Sequence, residues 1–208
     1  MALTAPDDGW GVGPTGTILR LEEGRWQRVE SPTEAHLRDV ILETSAAGWA
    51  VGDRGTILRL SAGQWQAVAS PTERRLSAVD AGVGGDAWAM GDAGTILRWD
   101  GAAWQPEESP TQADLSGLRL VRPGAGWAVG QDGTILGLSD GRWSVAVSPT
   151  REWLRAVDAP SASEAWAVGD ATTVLRFAPQ TGWQVSPGPA AETGYAPLSA
   201  IAVPSAMD

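Results

Sequence analysis

The chain has 208 residues, 43% of them hydrophobic, and a formal net charge of −10. A chain of this length can bury a core of its own, no apolar stretch approaches the roughly 20 residues of a membrane helix, and the negative charge disfavours nucleic acid and anionic membranes as partners. The opening MALTAPDDGW shows no signal peptide, so the location stays open, with an extracellular one allowed if a leader was removed from this numbering.

Tryptophan recurs with a period of 39 residues along the chain. The first series is Trp10, Trp49, Trp88, Trp127 and Trp166, and the second, whose last interval is one residue longer, is Trp26, Trp65, Trp104, Trp143 and Trp183. Internal repetition has to be recognised before any short motif is interpreted. The period predicts a single domain, residues 1–208, with repeats near 9–47, 48–86, 87–125, 126–164 and 165–203.

Each repeat contains four short apolar runs separated by turn residues. In the second copy the order is Trp49–Val51, the turn Gly52–Gly55, Thr56–Leu60, the turn Ser61–Gly63, Gln64–Ala69, a Ser-Pro-Thr loop, and Leu76–Val79. Such runs predict strands and hairpins, and no segment keeps a helical period. Four antiparallel strands per roughly 40 residues are typical of a β-propeller blade. The sequence therefore predicts an all-β, five-bladed β-propeller, with a β-solenoid as the structural alternative.

The last apolar run raises the question of how the first blade is completed. The fourth run of each repeat has the pattern Leu-x-Ala-Val or a close variant, as in Leu76–Val79. The chain opens almost directly on Gly9–Val12, with no such run before it, whereas its end carries a fifth one. We therefore predict that the C-terminal strand, with Leu198, Ala200, Ile201 and Val203, completes the first blade. The same strand could instead complete the first blade of another molecule, which would be strand exchange and would generate rings or filaments.

The quoted repeats resemble a known type of bacterial propeller repeat. GWAVGDRGTIL, AWAMGDAGTILRWDGAAW and GWAVGQDGTILGLSDGRW are similar to repeats of the WAVGDGGTIL type. They also resemble repeats of the photosystem II assembly factor group and, more distantly, Asp-box (BNR) repeats. The resemblance covers about Gly9 to Val203 and implies the fold rather than a function. The photosystem factor is usually seven-bladed, so five copies argue against that identity.

Two motifs that suggest chemistry have a simpler interpretation within the repeat. The G-x-G-x-x-G at 11–16 is followed by an apolar β-branched run rather than the helix that nucleotide binding requires. The G-x-S-x-G at 137–141 falls on a predicted hairpin turn. One histidine and no cysteine exclude the usual zinc spacings. We therefore predict no catalytic residue, cofactor or metal site, and hence no enzyme; the single tyrosine, Tyr195, in a Pro/Gly-rich loop, argues against sialidase-like chemistry.

Recurring charged residues are expected to be structural. Asp53, Asp92 and Asp170 stand at one turn and are interpreted as turn residues bonded to their own backbone; the alternative is a ring of carboxylates that holds a cation or a basic partner. Recurring arginines are interpreted as partners of those aspartates: Arg20, Arg59, Arg98 and Arg176. The repeat tryptophans are expected to form the core.

Function is expected where the copies differ, in the loops after Ser-Pro-Thr, which should share a face with the Gly-Asp turns. Trp153 replaces polar residues of other copies and is predicted to be an exposed interface anchor. The candidate interface residues are Trp153, Arg151, Arg155, Arg74, Arg75, His36 and Tyr195. The predicted function is a non-catalytic scaffold for a protein partner; the alternatives are a structural protein that self-assembles by strand exchange or disc stacking, and a glycan-binding lectin.

Overall fold

The computed structural model describes residues 1–82, 85–186 and 196–203, and these form five antiparallel four-stranded sheets. Blade 1 contains β1 (Ala2–Ala5), β2 (Asp8–Val12), β3 (Ile18–Glu22) and β4 (Arg25–Val29). Blade 2 contains β5 (Leu37–Thr44), β6 (Ala47–Gly52), β7 (Ile57–Ser61) and β8 (Gln64–Val68). Blade 3 contains β9 (Leu76–Ala81), β10 (Ala87–Gly91), β11 (Ile96–Trp99) and β12 (Trp104–Pro106). Blade 4 contains β13 (Leu115–Arg122), β14 (Ala125–Gly130), β15 (Ile135–Ser139) and β16 (Arg142–Val145). Blade 5 contains β17 (Leu154–Ser161), β18 (Glu164–Gly169), β19 (Val174–Ala178) and β20 (Gly182–Val185).

The predicted fold class, an all-β five-bladed β-propeller, is confirmed. In each blade the strands are hydrogen-bonded in chain order, as expected for strands joined by successive β-hairpins. The helical elements in the described part of the chain are single 3₁₀ turns between the second and third strands: Pro14–Gly16, Asp53–Gly55, Asp92–Gly94, Gln131–Gly133 and Asp170–Thr172. No helix among the described residues is long and apolar enough to cross a membrane.

The 3₁₀ turn explains the Gly-Thr pair that the first four repeats share; the fifth has Thr172 in place of the glycine. Gly55 has φ +66°, and a Cβ built on it would lie 1.8 Å from the carbonyl oxygen of Thr72, so only glycine fits. The hydroxyl of Thr56 then closes the turn by donating to the carbonyl of Asp53 at 2.7 Å. The turn is thus pressed directly against the Ser-Pro-Thr loop of its own repeat.

Each Ser-Pro-Thr loop is held by its own hydroxyl groups. Ser70 Oγ donates to the carbonyl of Thr72 at 3.1 Å, and Thr72 Oγ1 accepts the amide of Arg74 at 3.1 Å. The amide of Asp53 donates to the carbonyl of His36 at 2.9 Å, which joins a 3₁₀ turn to the loop that precedes its own blade. The prediction that the variable loops and the Gly-Asp turns share one face is confirmed. We call this side of a blade the turn end, and the side with the β-hairpin turns the hairpin end.

The chain forms two compact units, Met1–Glu107 with blades 1 to 3 and Glu108–Asp208 with blades 4 and 5. Within the first unit, one cluster packs Trp10 and Ile18 of blade 1 against the apolar face of blade 2, and a second packs blade 2 against blade 3. In the second unit, Val129 and Ile135 of blade 4 pack against blade 5. Both faces of blade 2 are therefore buried, in agreement with the apolar residues on both faces of its strands.

Tryptophan rings interlock at these blade interfaces. The first-series tryptophan of one blade meets the second-series tryptophan of the next, edge to face: Trp10 with Trp65 at 5.6 Å, Trp49 with Trp104 at 4.9 Å, and Trp127 with Trp183 at 5.1 Å between ring centroids. Edge-to-face contact is favourable because the positive edge of one ring meets the negative face of the other. The predicted core role holds for most of the repeat tryptophans, but Trp26 is 42% exposed.

The first blade differs from the prediction in its fourth strand. That strand is β1, whose residue Ala2 pairs with Trp10 and Leu3 with Gly9, so the assignment of Leu198–Val203 to this blade is wrong. Residues 196–203 form no strand, and the amide of Leu198 instead donates to the carbonyl of Gly169 in blade 5 at 3.0 Å. The physical reason is that the opening residues supply backbone hydrogen bonds without showing a strand pattern in their side chains.

Candidate interaction surface at the turn end

At the hairpin end, arginine forms a repeated stack on the first-series tryptophan. Arg59 lies directly opposite Trp49 in the antiparallel register, with Cζ 4.3 Å from the ring centroid, and its Nη1 is 2.7 Å from Glu43 Oε2. The other stacks are Arg20 on Trp10, Arg98 on Trp88 and Arg176 on Trp166. A guanidinium held between a ring and a carboxylate gains from both contacts.

This stack corrects the predicted partners of the recurring arginines. They are structural, as predicted, but their carboxylates are Asp8, Glu43, Asp86 and Glu164, at the hairpin end. Blade 4 lacks the stack because Gly137 replaces the arginine, and the Trp127 ring lies 3.2 Å from where a Cβ of Gly137 would stand.

The aspartates of the 3₁₀ turns pair with a different set of arginines. Asp53 receives two hydrogen bonds from Arg38, Nε to Oδ1 at 2.8 Å and Nη2 to Oδ2 at 3.0 Å. Asp170 receives the same two hydrogen bonds from Arg155, whereas Nε and Nη2 of Arg75 both donate to Oδ1 of Asp92. These carboxylates are neutralised by guanidiniums, so neither the interpretation as side chains bonded to their own backbone nor the carboxylate ring describes them.

The ion pair between Arg38 and Asp53 shifts the pKa values of both partners. The hydrogen bond from Arg38 is the main cause that lowers the pKa of Asp53, and the charge of Arg75 on the neighbouring blade lowers it further. The bond to Asp53 raises the pKa of Arg38, with a further contribution from Asp92. The pairs of blades 2 and 3 therefore lie close enough to influence one another.

Trp153 is not the exposed anchor that was predicted. Its ring is half-buried, its Nε1 donates to Ser116 Oγ at 2.9 Å, and the Arg155 guanidinium lies over it with Cζ 4.1 Å from the centroid. Arg155 in turn pairs with Asp170 at 2.8 Å. Trp153 and Arg155 thus belong to a packed cluster of the second unit, and the exposed member of the group is Arg151.

The turn end of blades 2 and 3 leaves two guanidiniums exposed. Arg54 projects from the 3₁₀ turn of blade 2, at φ +56°, and no carboxylate pairs with it in the described part of the chain. Arg74 is also exposed; its Nη1 donates to the carbonyl of Ala93 at 3.3 Å, and no ion pair to it occurs among the described residues. We call Arg54, Arg74, the paired Arg38 and Arg75, and the exposed His36 the arginine surface.

The remaining predictions concern Tyr195, metal binding and the two glycine-containing motifs. Tyr195 lies outside the described residues. Within them, no group of three or more His, Asp or Glu side chains could hold a metal ion. The G-x-G-x-x-G leads into strand β3, and the G-x-S-x-G spans the hairpin between β15 and β16, so both motifs belong to the repeat, as predicted.

A shallow cleft of about 450 Å³ opens at the hairpin end of blade 3. Its lining includes Asp86, Arg98, Trp99 and Gln105. Trp99 packs against the core ring of Trp49, with 4.8 Å between ring centroids, and Arg98 pairs with Asp86. These side chains already have structural partners, so the cleft presents fewer unengaged groups than the arginine surface.

Comparison with known proteins supports the fold and leaves the family open. No family model and no curated protein matches the chain. Solved structures do match. YCF48 bound to D1 peptide is 16% identical, and the match covers 88% of this chain and 78% of that one, with a TM-score of 0.52. YCF48 from Cyanidioschyzon merolae is 17% identical, and the match covers 88% of this chain and 67% of that one, with a TM-score of 0.67. The RRP9 WD40 repeats match at 11% identity over 86% of this chain, which spans 61% of theirs, with a TM-score of 0.70. Likeness at this identity shows the propeller fold alone.

Sequence reasoning found part of the arginine surface and missed the rest. Arg74, Arg75 and His36 were candidates because their loops vary between copies. Arg38 and Arg54 were not, although a signal was present: the other repeats have Ser77, Ser116 or Arg155 at the first position and Thr15, Ala93, Asp132 or Ala171 at the second. Variation at the second residue of the first strand would have identified Arg38, and variation within the 3₁₀ turn would have identified Arg54.

Proposed function

We propose that this chain is a non-catalytic scaffold that binds a protein or peptide partner through carboxylate groups at its arginine surface. The observation that carries the proposal is the pair Arg54 and Arg74, both exposed and both without a carboxylate partner among the described residues. Surface residues that vary while the frame around them is constant are where binding is expected.

The two guanidiniums stand on one contact between turn and loop. Arg54 directly precedes Gly55, whose backbone is packed against Thr72, and Thr72 Oγ1 accepts the amide of Arg74. Because the backbone of both residues is fixed by these contacts, binding costs less ordering entropy than it would on a flexible loop.

The chemistry of the surface favours a carboxylate. Guanidinium presents a planar fork of donors that matches a carboxylate in two-point contact. Asp53 and Asp92 are engaged with Arg38 and Arg75 and do not compensate Arg54 or Arg74. Glu34 and Glu73 stand in the same loops, and the net charge is −10, so affinity has to come from local contacts rather than from a broad positive field.

The comparisons give this proposal a precedent. One structurally similar protein, YCF48, has been solved with a bound D1 peptide, so a propeller of related fold accepts a peptide. The arginine surface supplies the class of group that would be recognised here, and the identity of the partner is not part of the proposal.

Binding of a defined acidic peptide tests the proposal. The probe is a fluorescein-labelled peptide of alternating glutamate and serine, and its control has glutamine in place of every glutamate, with fluorescence anisotropy as the readout. We expect the glutamate peptide to bind more tightly and the double variant Arg54→Ala/Arg74→Ala to weaken that binding about tenfold or more.

A matched variant removes equal charge from another place. Arg122 and Arg142 are exposed at the hairpin end of blade 4, so Arg122→Ala/Arg142→Ala should leave the affinity unchanged. Equal binding of the two peptides, or equal loss in the two double variants, would show that the arginine surface does not recognise carboxylates.

A further inference from the structure

The fourth strand of each blade is an edge of its sheet, and the five edges differ in how they are protected. In every blade one residue of this strand lies opposite a leucine of the third strand: Arg28, Ala67, Pro106, Val145 and Val185. A charge or a proline on an edge strand hinders pairing with another chain, so blades 1 and 3 are protected. Strand β8 of blade 2, Gln64–Val68, contains neither. We call its unpaired side the open edge.

The backbone amide of Ala67 points away from the sheet. In an antiparallel pair, the hydrogen bonds to one neighbour come from alternate residues. In blade 3 the amide of Glu107 donates to the carbonyl of Ile96 in the third strand at 2.9 Å, and the residue before it is Pro106, which has no amide hydrogen to donate. Because β8 has the same register, the amides of Trp65 and Ala67 are directed outward, toward the open edge.

There is room for another chain beside the open edge. Ala67 and Ala69 are exposed and small, so they do not screen the backbone. A cleft of about 330 Å³ opens at the start of β8, between residues 63–65 and residues 29–32 of blade 1. Both walls of the cleft belong to the first compact unit. An extended chain can therefore approach β8 to the ordinary strand spacing of about 4.8 Å.

The open edge belongs to the blade that has an arginine at its turn. The residues at the position of Arg54 in the other blades are uncharged or acidic: Thr15, Ala93, Asp132 and Ala171. From Val68, the last residue of β8, the chain reaches Thr72 in four residues, a span of roughly 13 Å when extended. Thr72 packs against Gly55, which directly follows Arg54. A ligand paired with β8 therefore reaches Arg54 by extending about as far beyond the strand.

We propose that the acidic partner of the arginine surface is an extended segment that adds a fifth strand to blade 2 at the open edge. This inference rests on the proposed function and specifies the form of the partner. Antiparallel pairing is the more stable direction, and β8 runs from the hairpin end to the turn end. The carboxylates of the segment therefore come first in its sequence, at Arg54, and an uncharged strand-forming stretch follows. Backbone hydrogen bonds contribute affinity, and the carboxylates contribute specificity.

Two fluorescein-labelled peptides test the added strand by fluorescence anisotropy. The first alternates glutamate and serine in its first half and threonine and valine in its second half. The control peptide has proline in place of every valine, so it cannot form the hydrogen-bond ladder. We expect the wild type to bind the first peptide about tenfold more tightly than the control peptide.

A proline at the open edge should remove this difference. Ala67→Pro deletes the outward amide and places a ring beside the edge, and blade 3 already accepts proline at the equivalent position, Pro106. We expect the variant to bind both peptides with equal affinity. Val145→Pro, at the equivalent position of blade 4, is the matched control and should keep the tenfold difference. Circular dichroism checks that both variants retain their sheets.

Amide hydrogen exchange of the wild type, followed by NMR, needs no variant. Saturation with the first peptide should slow the exchange of the Trp65 and Ala67 amides at least about tenfold, because both enter new hydrogen bonds. Saturation with the control peptide should leave their exchange unchanged. Unaltered exchange in the presence of the first peptide would overturn the added strand.

The outcomes distinguish this inference from the proposed function. Equal binding of the two peptides to the wild type, together with weaker binding by Arg54→Ala/Arg74→Ala, would keep the arginine surface and overturn the added strand. Equal effects of Ala67→Pro and Val145→Pro would overturn it as well. Binding that does not change when glutamine replaces every glutamate would overturn the proposed function and this inference with it. Self-association that Ala67→Pro abolishes would assign the open edge to a second copy instead.

Discussion

Blade 2 carries an arginine at each end, and the two have different surroundings. Arg59, at the hairpin end, lies over the ring of Trp49 and pairs with Glu43, whereas Arg54, at the turn end, projects into solvent with no carboxylate partner among the described residues. The first arrangement recurs in four blades and the second varies from blade to blade. Arginine therefore has a structural role at the hairpin end of the blade, whereas at the turn end it is available to a partner.

The largest expected effect on stability is at the interlocked tryptophans, which pack neighbouring blades together. Trp104 is 3% exposed and meets Trp49 edge to face, so Trp104→Ala should lower the free energy of unfolding by about 3–5 kcal/mol. Trp26→Ala removes the same side chain from an exposed site and should cost about 1 kcal/mol. Urea denaturation of the two variants measures the difference, and equal losses would contradict the different burial of the two rings.

Next in size are the glycines of the two kinds of turn. Gly55→Ala places a Cβ 1.8 Å from the carbonyl oxygen of Thr72 and should cost about 2 kcal/mol or more. Gly63 also has a positive φ, but nothing lies within 4 Å of a Cβ there, so Gly63→Ala should cost only about 1 kcal/mol. Thermal unfolding of both variants checks the order; the reverse order would mean that the Ser-Pro-Thr loop does not press on the 3₁₀ turn.

A smaller effect separates the two arginines of blade 2. Arg59→Ala removes the stack on Trp49 and the pair with Glu43, and should cost about 1–2 kcal/mol of folding free energy. Arg54→Ala removes no ion pair and no ring contact among the described residues, so its effect should stay within about 0.5 kcal/mol. Chemical denaturation measures both, and a cost at Arg54 as large as that at Arg59 would remove the distinction between the ends.

The smallest effect is the pH dependence of the turn-end ion pairs. The pKa of Asp53 is lowered from its ordinary value of 3.8, chiefly by Arg38. The pair therefore stabilises the folded state above pH 3.8, and that stabilisation is lost as the pH falls through the lowered pKa. Asp53→Asn should be less stable than the wild type near neutral pH, by less than about 1 kcal/mol because both side chains are partly exposed.

Unfolding curves of the wild type and Asp53→Asn, recorded at several pH values, provide the measurement. The gap in stability should close below pH 3.8, where Asp53 takes up its proton. A gap that widens on acidification would show that the carboxylate is not held by Arg38.

The period of the tryptophans was enough to predict the blades, because each ring marks a fixed place in a unit that repeats. Turn chemistry located the 3₁₀ turns, and the repeat frame explained the two glycine-containing motifs. The opening residues Ala2–Ala5 gave no such signal, since a strand whose side chains are mostly exposed shows no apolar alternation. Backbone pairing alone places β1 in the first blade.

The candidate site was harder to predict than the fold because partners depend on strand register. Arg59 and Trp49 lie opposite each other on two adjacent strands, and this contact cannot be predicted from their separation along the chain. Trp153 was misjudged for a related reason: its indole meets Ser116, which belongs to the blade before. Contacts between blades decide which polar side chains are engaged and which remain for a partner.

The central claim is that arginine binds a partner at the turn end and is structural at the hairpin end. The affinity of the acidic peptide for two single variants, Arg54→Ala and Arg59→Ala, tests this claim most directly. The account predicts that Arg54→Ala weakens binding several-fold while Arg59→Ala, measured under conditions where it is folded, binds as the wild type does. Equal weakening in both variants, or weakening in Arg59→Ala alone, would contradict it.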